Sequence, residues 1–323
     1  HLDLHSFPTR RSSDLVAITG LVSGFYAAAQ ALCHPGDGYL IQPPVYMPFN
    51  DIQKHQGVIR QEAELNFVAQ DGILRYSINW DSFDNAFHSS GSRTKMFLLC
   101  NPHNPTGQIY SAEELSRMAE TCLKHDAVIV SDEIHSELLL GEQKHVPVAS
   151  LSPEIAEKTI TLVAPSKTFN IAGLFCGFAI IPNKELRERY KEQVERMTLH
   201  VASLAQVAAQ AAFSGECEDW LAELISYLRA NRDFLVDFVQ IELPEIRTTR
   251  PEATYLAWLD CGKLVENGKI SGNPYTSLIK TARVDPNHGA NFGAGGKNFL
   301  RLNFGCPRVT LEQALERMKK ALA

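Results

Sequence analysis

Short apolar runs recur along this chain between helix-patterned stretches, and they are flanked by loops rich in Pro, Gly, Asn or Asp. The runs are Gly38 to Gln42, Lys95 to Cys100, Ala127 to Ser131, Thr159 to Val163 and Gly177 to Ile181, and Val58 to Glu62 is a further strand candidate. Runs this short with little polar alternation suit strands buried on both faces, and alternation with helices then implies a mostly parallel sheet sandwiched by helices. Gly20 to Cys33 is an Ala-rich helix candidate, and Ser111-Ala112-Glu113-Glu114 is a capping box opening a helix that runs to about His125. Beyond Pro182 the pattern changes. Asn183 to Ser214 reads as long and helical. Glu218 to Glu242 reads as one extended helix with Trp220, Leu221, Leu224, Leu228, Phe234, Leu235 and Phe238 at its apolar positions. Strand-like runs at Thr254 to Asp260 and Phe299 to Phe304 flank a Gly/Asn-rich loop, His288 to Gly296. Thr310-Leu311-Glu312-Gln313 reads as a second capping box before the last helix. The expected fold class is α/β, with a large sheet domain over residues 16–217 and an interdomain helix plus a smaller α+β domain over 218–323.

Composition removes several classes of partner. The 31 basic and 37 acidic residues give a net charge of -6, and no basic block offers a phosphate-backbone footprint, so nucleic acid is not expected. The most apolar stretch, Ile171 to Ile181, is too short for a bilayer and is interrupted by Gly173 and Gly177, so no membrane span is expected. The 7 cysteines are scattered, with no C-x-x-C pair and no zinc-type spacing. That suits reduced thiols in the cytoplasm and no metal. Residues 1–15, HLDLHSFPTRRSSDL, show neither helix nor strand period and are expected to be a non-native or disordered leader, coherent sequence starting at about Val16.

Several residue types with chemical potential follow the strand candidates. Lys167 lies in Ala164-Pro165-Ser166-Lys167-Thr168-Phe169-Asn170, after the run Thr159–Val163. A lysine desolvated at a strand end becomes a nucleophile; a solvated surface lysine is the bland alternative. Asp132 ends the run AVIVS and reads either as a carboxylate facing a ligand or as a helix N-cap. His135 follows it, a hydrogen-bond donor or a structural histidine. Asn101-Pro102-His103-Asn104-Pro105-Thr106-Gly107 is a loop fixed by two prolines that would present the Asn104 amide. Gly20, Leu21 and Val22 open a helix, and backbone N–H groups there bind anions, although Gly-x-x-x-Gly is more often packing. Tyr46, after Pro43-Pro44-Val45, offers a stacking ring or a core side chain. Arg301, in Phe299-Leu300-Arg301-Leu302-Asn303-Phe304, offers a carboxylate clamp or a surface ion pair, and Arg308 offers the same less clearly.

The motifs NPHNPTG (Asn101–Gly107), SDEIH (Ser131–His135), SKTFNIAGL (Ser166–Leu174) and RLNFGCPR (Arg301–Arg308), in this order, resemble the fold-type I, pyridoxal 5′-phosphate (PLP)-dependent enzymes of the aminotransferase class I/II superfamily, and within it the cystathionine β-lyase / cysteine C–S lyase branch. The resemblance spans Val16 to Ala323. It implies Lys167 as the lysine bonded to the cofactor and Asp132 as partner of the pyridine nitrogen. It implies Asn104 and His135 at the ring oxygen, Tyr46 stacked on the ring and Arg301 on the substrate carboxylate. Gly20, Leu21, Val22 and Ser166 would complete the cofactor site. Histidine at position 135, where many aminotransferases carry tyrosine, favours the lyase branch. The implied reaction is β-elimination from cystathionine or a cysteine S-conjugate, with an aminotransferase as the alternative, and the implied assembly is a homodimer. Two departures stand out. Phe175 occupies the place where many relatives have a phosphate-binding arginine, which the C–S lyase branch also tends to lack. Family members also carry a further N-terminal segment before the point matching Val16, so a truncated chain of reduced cofactor affinity is a third expectation.

Overall fold

The computed structural model describes residues 12–88 and 93–323. Its first sheet has seven strands. In chain order these are β1 (Leu15–Ile18), β2 (Gly38–Ile41), β3 (Ile59–Glu62), β6 (Thr94–Cys100), β7 (Val128–Asp132), β8 (Thr159–Val163) and β9 (Gly177–Ile180). They lie in the order β1-β9-β8-β7-β6-β2-β3. β3, β2, β6, β7 and β8 run parallel, and β9 is antiparallel to both its neighbours. Alternation along β6 explains the two covered faces. Met96, Leu98 and Cys100 pack with Phe25 of the helix Leu21–Leu32 and Tyr190 of the helix Lys184–Arg196. Phe97 and Leu99 pack with Leu115 and Met118 of the helix Ala112–Lys124. That helix has the expected capping box, with Ser111 Oγ accepting from the Glu114 N–H at 3.2 Å and the Glu114 carboxylate accepting from the Ser111 N–H at 2.8 Å.

The second sheet has six strands. It joins β4 (Asn66–Gln70) and β5 (Ile73–Ser77) to β10 (Arg247–Thr249), β11 (Leu256–Asp260), β12 (Asn287–His288) and β13 (Phe299–Asn303), in the order β12-β13-β11-β10-β5-β4. Leu228, Leu235 and Val239 of the helix Glu218–Glu242 and Leu311, Leu315 and Met318 of the helix Arg308–Leu322 cover one face. Trp258, Phe292 and Phe299 stack on the other.

Several expectations are corrected. Residues 66–77 belong to the second sheet through the parallel pairing of β5 with β10, so a cut at 217 does not separate the two sheets in sequence. Leu15 belongs to β1, paired with Ile180, and buried Asp14 lies 3.4 Å from Arg187, so Ser12 to Leu15 are part of the fold rather than a leader. The rest of the leader, residues 1–11, lies outside the described residues. Asn183 to Ser214 is two helices, Lys184–Arg196 and Ser203–Ala212. The first stops where Thr198 turns left-handed (φ 55°) and the Leu199 N–H reaches back to the Val194 carbonyl. The last helix starts at Arg308, behind Pro307, with no side-chain cap, so Thr310 lies inside it rather than capping it. Trp220 is not core: it is 47% exposed and stacks on Phe169.

Candidate active site

A cavity of about 640 Å³ opens where the carboxyl ends of the parallel strands meet the second sheet. Gly20, Leu21, Val22, Tyr46, Asn104, Asp132, His135, Ser166, Lys167 and Arg301 all line it. The residues that the family resemblance assigns to the site therefore all reach one space, although they come from the ends of five different strands and from β13 itself. Arg308 does not: its guanidinium bonds the Asn231 side chain at 2.8 Å and lies over Phe234, a structural role beside the long helix.

The groups after β7 are deeply buried. The Asp132 carboxylate accepts a hydrogen bond from the Ile134 N–H at 3.1 Å, closing a tight turn rather than capping a helix. Burial pushes its pKa up to about 7; adjacent Glu133 pushes the same way, while the Ile134 hydrogen bond and Lys167 oppose. His135 is 3% exposed, stands edge-on to Tyr255 at 5.8 Å, and has no partner for Nδ1. Burial, with help from the positive charges of Lys167 and Arg301, lowers its pKa to about 3, so the imidazole is neutral across the working pH range. Lys167 is half-buried, and burial first, then Arg301, lowers its basicity against the pull of Asp132.

The loop after β6 is built to hold Asn104. His103 is buried; with one proton on Nε2 it donates to the Pro44 carbonyl at 2.9 Å while Nδ1 accepts from the Tyr110 hydroxyl at 3.3 Å. Asn101 Oδ1 accepts from the Tyr110 N–H. At Gly107 (φ 75°) an added Cβ would come within 2.5 Å of Pro251 Cβ, and the Gly107 carbonyl accepts from the N–H groups of Glu252 and Ala253. This contact seams the first sheet to the second. The Asn104 side-chain oxygen accepts from Arg301 Nη1 at 2.9 Å, which leaves its NH₂ to donate elsewhere.

Arg301 is held entirely by neutral groups. Its Nε and Nη2 donate to Asn287 Oδ1 at 3.1 and 2.6 Å, its third bond goes to Asn104, and its guanidinium lies 5.0 Å from the Phe292 ring centroid. Of the five guanidinium N–H groups, one on each terminal nitrogen remains, the fork that matches a carboxylate. No carboxylate pairs with it among the described residues.

At the other end, Gly20 (φ 131°) stands immediately before the helix Leu21–Leu32, and the space where its side chain would be is open to 4 Å. The first-turn N–H groups thus face the cavity without obstruction. Phe175 lines the same wall, 67% exposed, and brings no charge.

Sequence reading missed Tyr255, Met47, Cys100 and Asn303, which also line the cavity. Tyr255 precedes β11 with no motif around it. The one hint is its position at a strand start, which is shared by many ordinary core tyrosines.

The sequence model of the aminotransferase class I and II family matches residues 3–318. Cystathionine beta-lyase PatB of Bacillus subtilis (strain 168) is 38% identical over 305 residues, 94% of this chain and 76% of that protein. The PLP-bound C-S lyase from Staphylococcus hominis superposes with a TM-score of 0.89 at 31% identity, covering 98% of this chain and 78% of its own. Cystalysin from Treponema denticola, whose structure contains pyridoxal 5′-phosphate, superposes at 0.87 with 32% identity, covering 97% and 77%. The cavity fits that cofactor on its own evidence. A protonated pyridine nitrogen would compensate the buried Asp132 carboxylate. A ring oxygen would engage the unpartnered His135 Nδ1 and the Asn104 NH₂, and a phosphate would meet the open helix start at Gly20. With the family model covering nearly its whole length and relatives above 30% identity, the chain belongs to the PLP-dependent aminotransferase class I and II family.

Proposed function

We propose that this protein is a PLP-dependent carbon–sulfur β-lyase. It would cleave cystathionine or a related cysteine S-conjugate to pyruvate, ammonia and a thiol. The carrying observation is that one cavity joins a lysine of lowered basicity to a guanidinium with two uncommitted donors. The relatives named as lyases supply the reaction class.

When bound, the cofactor supplies an electron sink for the electron pair left at the substrate Cα. The other roles fall to the chain. Asp132 would hold the proton on the ring nitrogen. Asn104 and neutral His135 would donate to the ring oxygen, Tyr46 would cover the ring face, and Ser166 with the Gly20, Leu21 and Val22 backbone would receive the phosphate. Lys167 would hold the cofactor, and its amine, when free, would take the Cα proton as general base. Arg301 grips the α-carboxylate and thereby sets which bond at Cα faces Lys167. The sulfur then departs from Cβ.

The domain roles follow the two sheets: residues 16–217, less the hairpin 66–77, carry the cofactor, and the remainder seats the substrate. A homodimer is supported by the family resemblance and by exposed Leu204, Val207 and Phe175, and a cytoplasmic location by seven unpaired cysteines. Among the described residues no helix is long and apolar enough to cross a membrane.

The test is incubation with PLP and cystathionine in the absence of a keto acid. Continuous release of pyruvate and thiol is expected. A single round of amine transfer that stalls until a keto acid is added would replace the lyase by an aminotransferase.

A further inference from the structure

Tyr255 is a cavity residue that the functional scheme above leaves without a task. Its placement is enforced from both sides. Thr254, fully buried and β-branched, adopts φ 73°, a conformation such residues rarely take. It is pinned there by its N–H on the Leu138 carbonyl at 2.9 Å and by its hydroxyl, which accepts from the Leu256 N–H at 3.2 Å. Strain of this kind persists only where the surroundings over-determine it, and it concentrates at ligand sites. Tyr255 and Leu256, neighbours that a regular strand would send to opposite faces, both line the cavity. On the far side, a Cβ at Gly305 would come within 3.1 Å of Tyr255 Cγ, so a larger residue there would crowd the ring. The Phe304 N–H donates to the Tyr255 carbonyl at 2.9 Å.

The ring is thus fixed edge-on to His135, while its hydroxyl has no hydrogen-bond partner among the described residues. The charge of the Arg301 guanidinium acts on the phenols of both Tyr255 and Tyr46. A carboxylate on the two open donors of Arg301 has two of its roughly four acceptor sites filled, and burial leaves the rest in need of a donor.

We propose that Tyr255 donates its hydroxyl hydrogen to the substrate α-carboxylate held by Arg301, making it a substrate-binding group. The proposal rests on the assignment of Arg301 to that carboxylate, and not on whether the reaction is elimination or amine transfer.

The test is Tyr255→Phe in the PLP-loaded protein, with L-alanine as probe. Alanine carries the carboxylate and amine but no leaving group, and its binding is read from the change in the cofactor's visible absorption. The variant is expected to keep the resting cofactor spectrum and the thermal midpoint of the parent. It should weaken alanine binding by about 10- to 100-fold, the worth of one hydrogen bond to a charged group. With cystathionine, KM should rise by a similar factor while kcat changes little. Unchanged alanine affinity in Tyr255→Phe overturns the proposal. So does the full loss appearing in Tyr46→Phe instead. A parent protein that binds alanine but releases no thiol from cystathionine overturns the lyase reading and leaves Tyr255 to be judged by its own affinity.

Discussion

In the first sheet the site residues stand just past strands buried on both faces, where water is excluded before any ligand arrives. In the second, Arg301 stands on β13 among polar neighbours, Asn287 and Asn104, at the rim of the same cavity. The electrostatics differ accordingly. Asp132 and His135 are driven toward their neutral forms by burial, and a cofactor ring would restore to Asp132 the charge that burial opposes. Arg301 hydrogen-bonds only amides and has no carboxylate partner among the described residues. In the proposed function, one sheet therefore prepares the cofactor's chemistry and the other selects what is presented to it. Substitutions should separate along that line: losses in the first sheet abolish the cofactor's colour, and losses in the second spare it.

The largest effect is expected for Lys167→Ala. It should abolish the visible absorption seen on adding PLP and lower turnover by more than about 10³-fold, at the upper end of what a positioned base contributes. An unchanged spectrum would remove Lys167 from its role.

Asp132→Asn should lower PLP affinity and cut turnover by about 10²-fold or more. The same substitution has a second signature. The Asp132 pKa is raised from 3.8 to about 7, so the folded, cofactor-free protein binds more protons than the unfolded chain between those values. The stability this group contributes is fully present below about pH 4 and is lost as pH rises through 7, on the order of 4 kcal/mol. His135 has the opposite sign: its pKa is lowered from 6.5 to about 3, so its contribution is lost as pH falls through that range. Between about pH 4 and 6.5 the two changes offset each other, so the parent shows a net fall only between about pH 6.5 and 7. Urea titrations at pH 8 without PLP should find Asp132→Asn more stable than the parent, even though it binds the cofactor less well.

Arg301→Gln sharpens the comparison from the other side. It should lower kcat/KM by about 30-fold or more, the cost of breaking a hydrogen-bonded charge pair, with the resting cofactor spectrum intact.

Gly107→Ala tests the seam. Its Cβ would collide with Pro251 at a backbone angle that L side chains rarely adopt, costing about 1–3 kcal/mol in urea unfolding and disturbing both sheets together. Ser111→Ala, on a helix remote from the cavity, should cost about 1 kcal/mol and leave kinetics unchanged.

The same contrast explains what could be read in advance. β6, β7 and β8 are contiguous apolar runs, so they are legible to within a residue, as are Lys167, Asp132 and Asn104 at or just after their ends. The second sheet is assembled by pairing β5 with β10, a contact between residues 73–74 and 248–249 that leaves no local trace. β4 is exposed along its whole length and shows no apolar alternation to detect. Tyr255 was missed for a related reason, since what aims it is the conformation of Thr254, a threonine whose sequence setting looks like any strand start. Trp220 shows the reverse error: the chain's apolar period continues through a part of its helix that the rest of the fold leaves in solvent.

The neutral company of Arg301 has a practical side. A half-buried cation with two idle donors does not distinguish a substrate's carboxylate from that of a buffer. Acetate and formate should compete for the same fork, raising the apparent KM in proportion to their concentration while leaving the limiting rate unchanged. Activity measured in an amine buffer with chloride should exceed that in acetate at equal pH and ionic strength. The residue proposed to recruit the substrate would then also be the one through which the solution's small anions inhibit the protein.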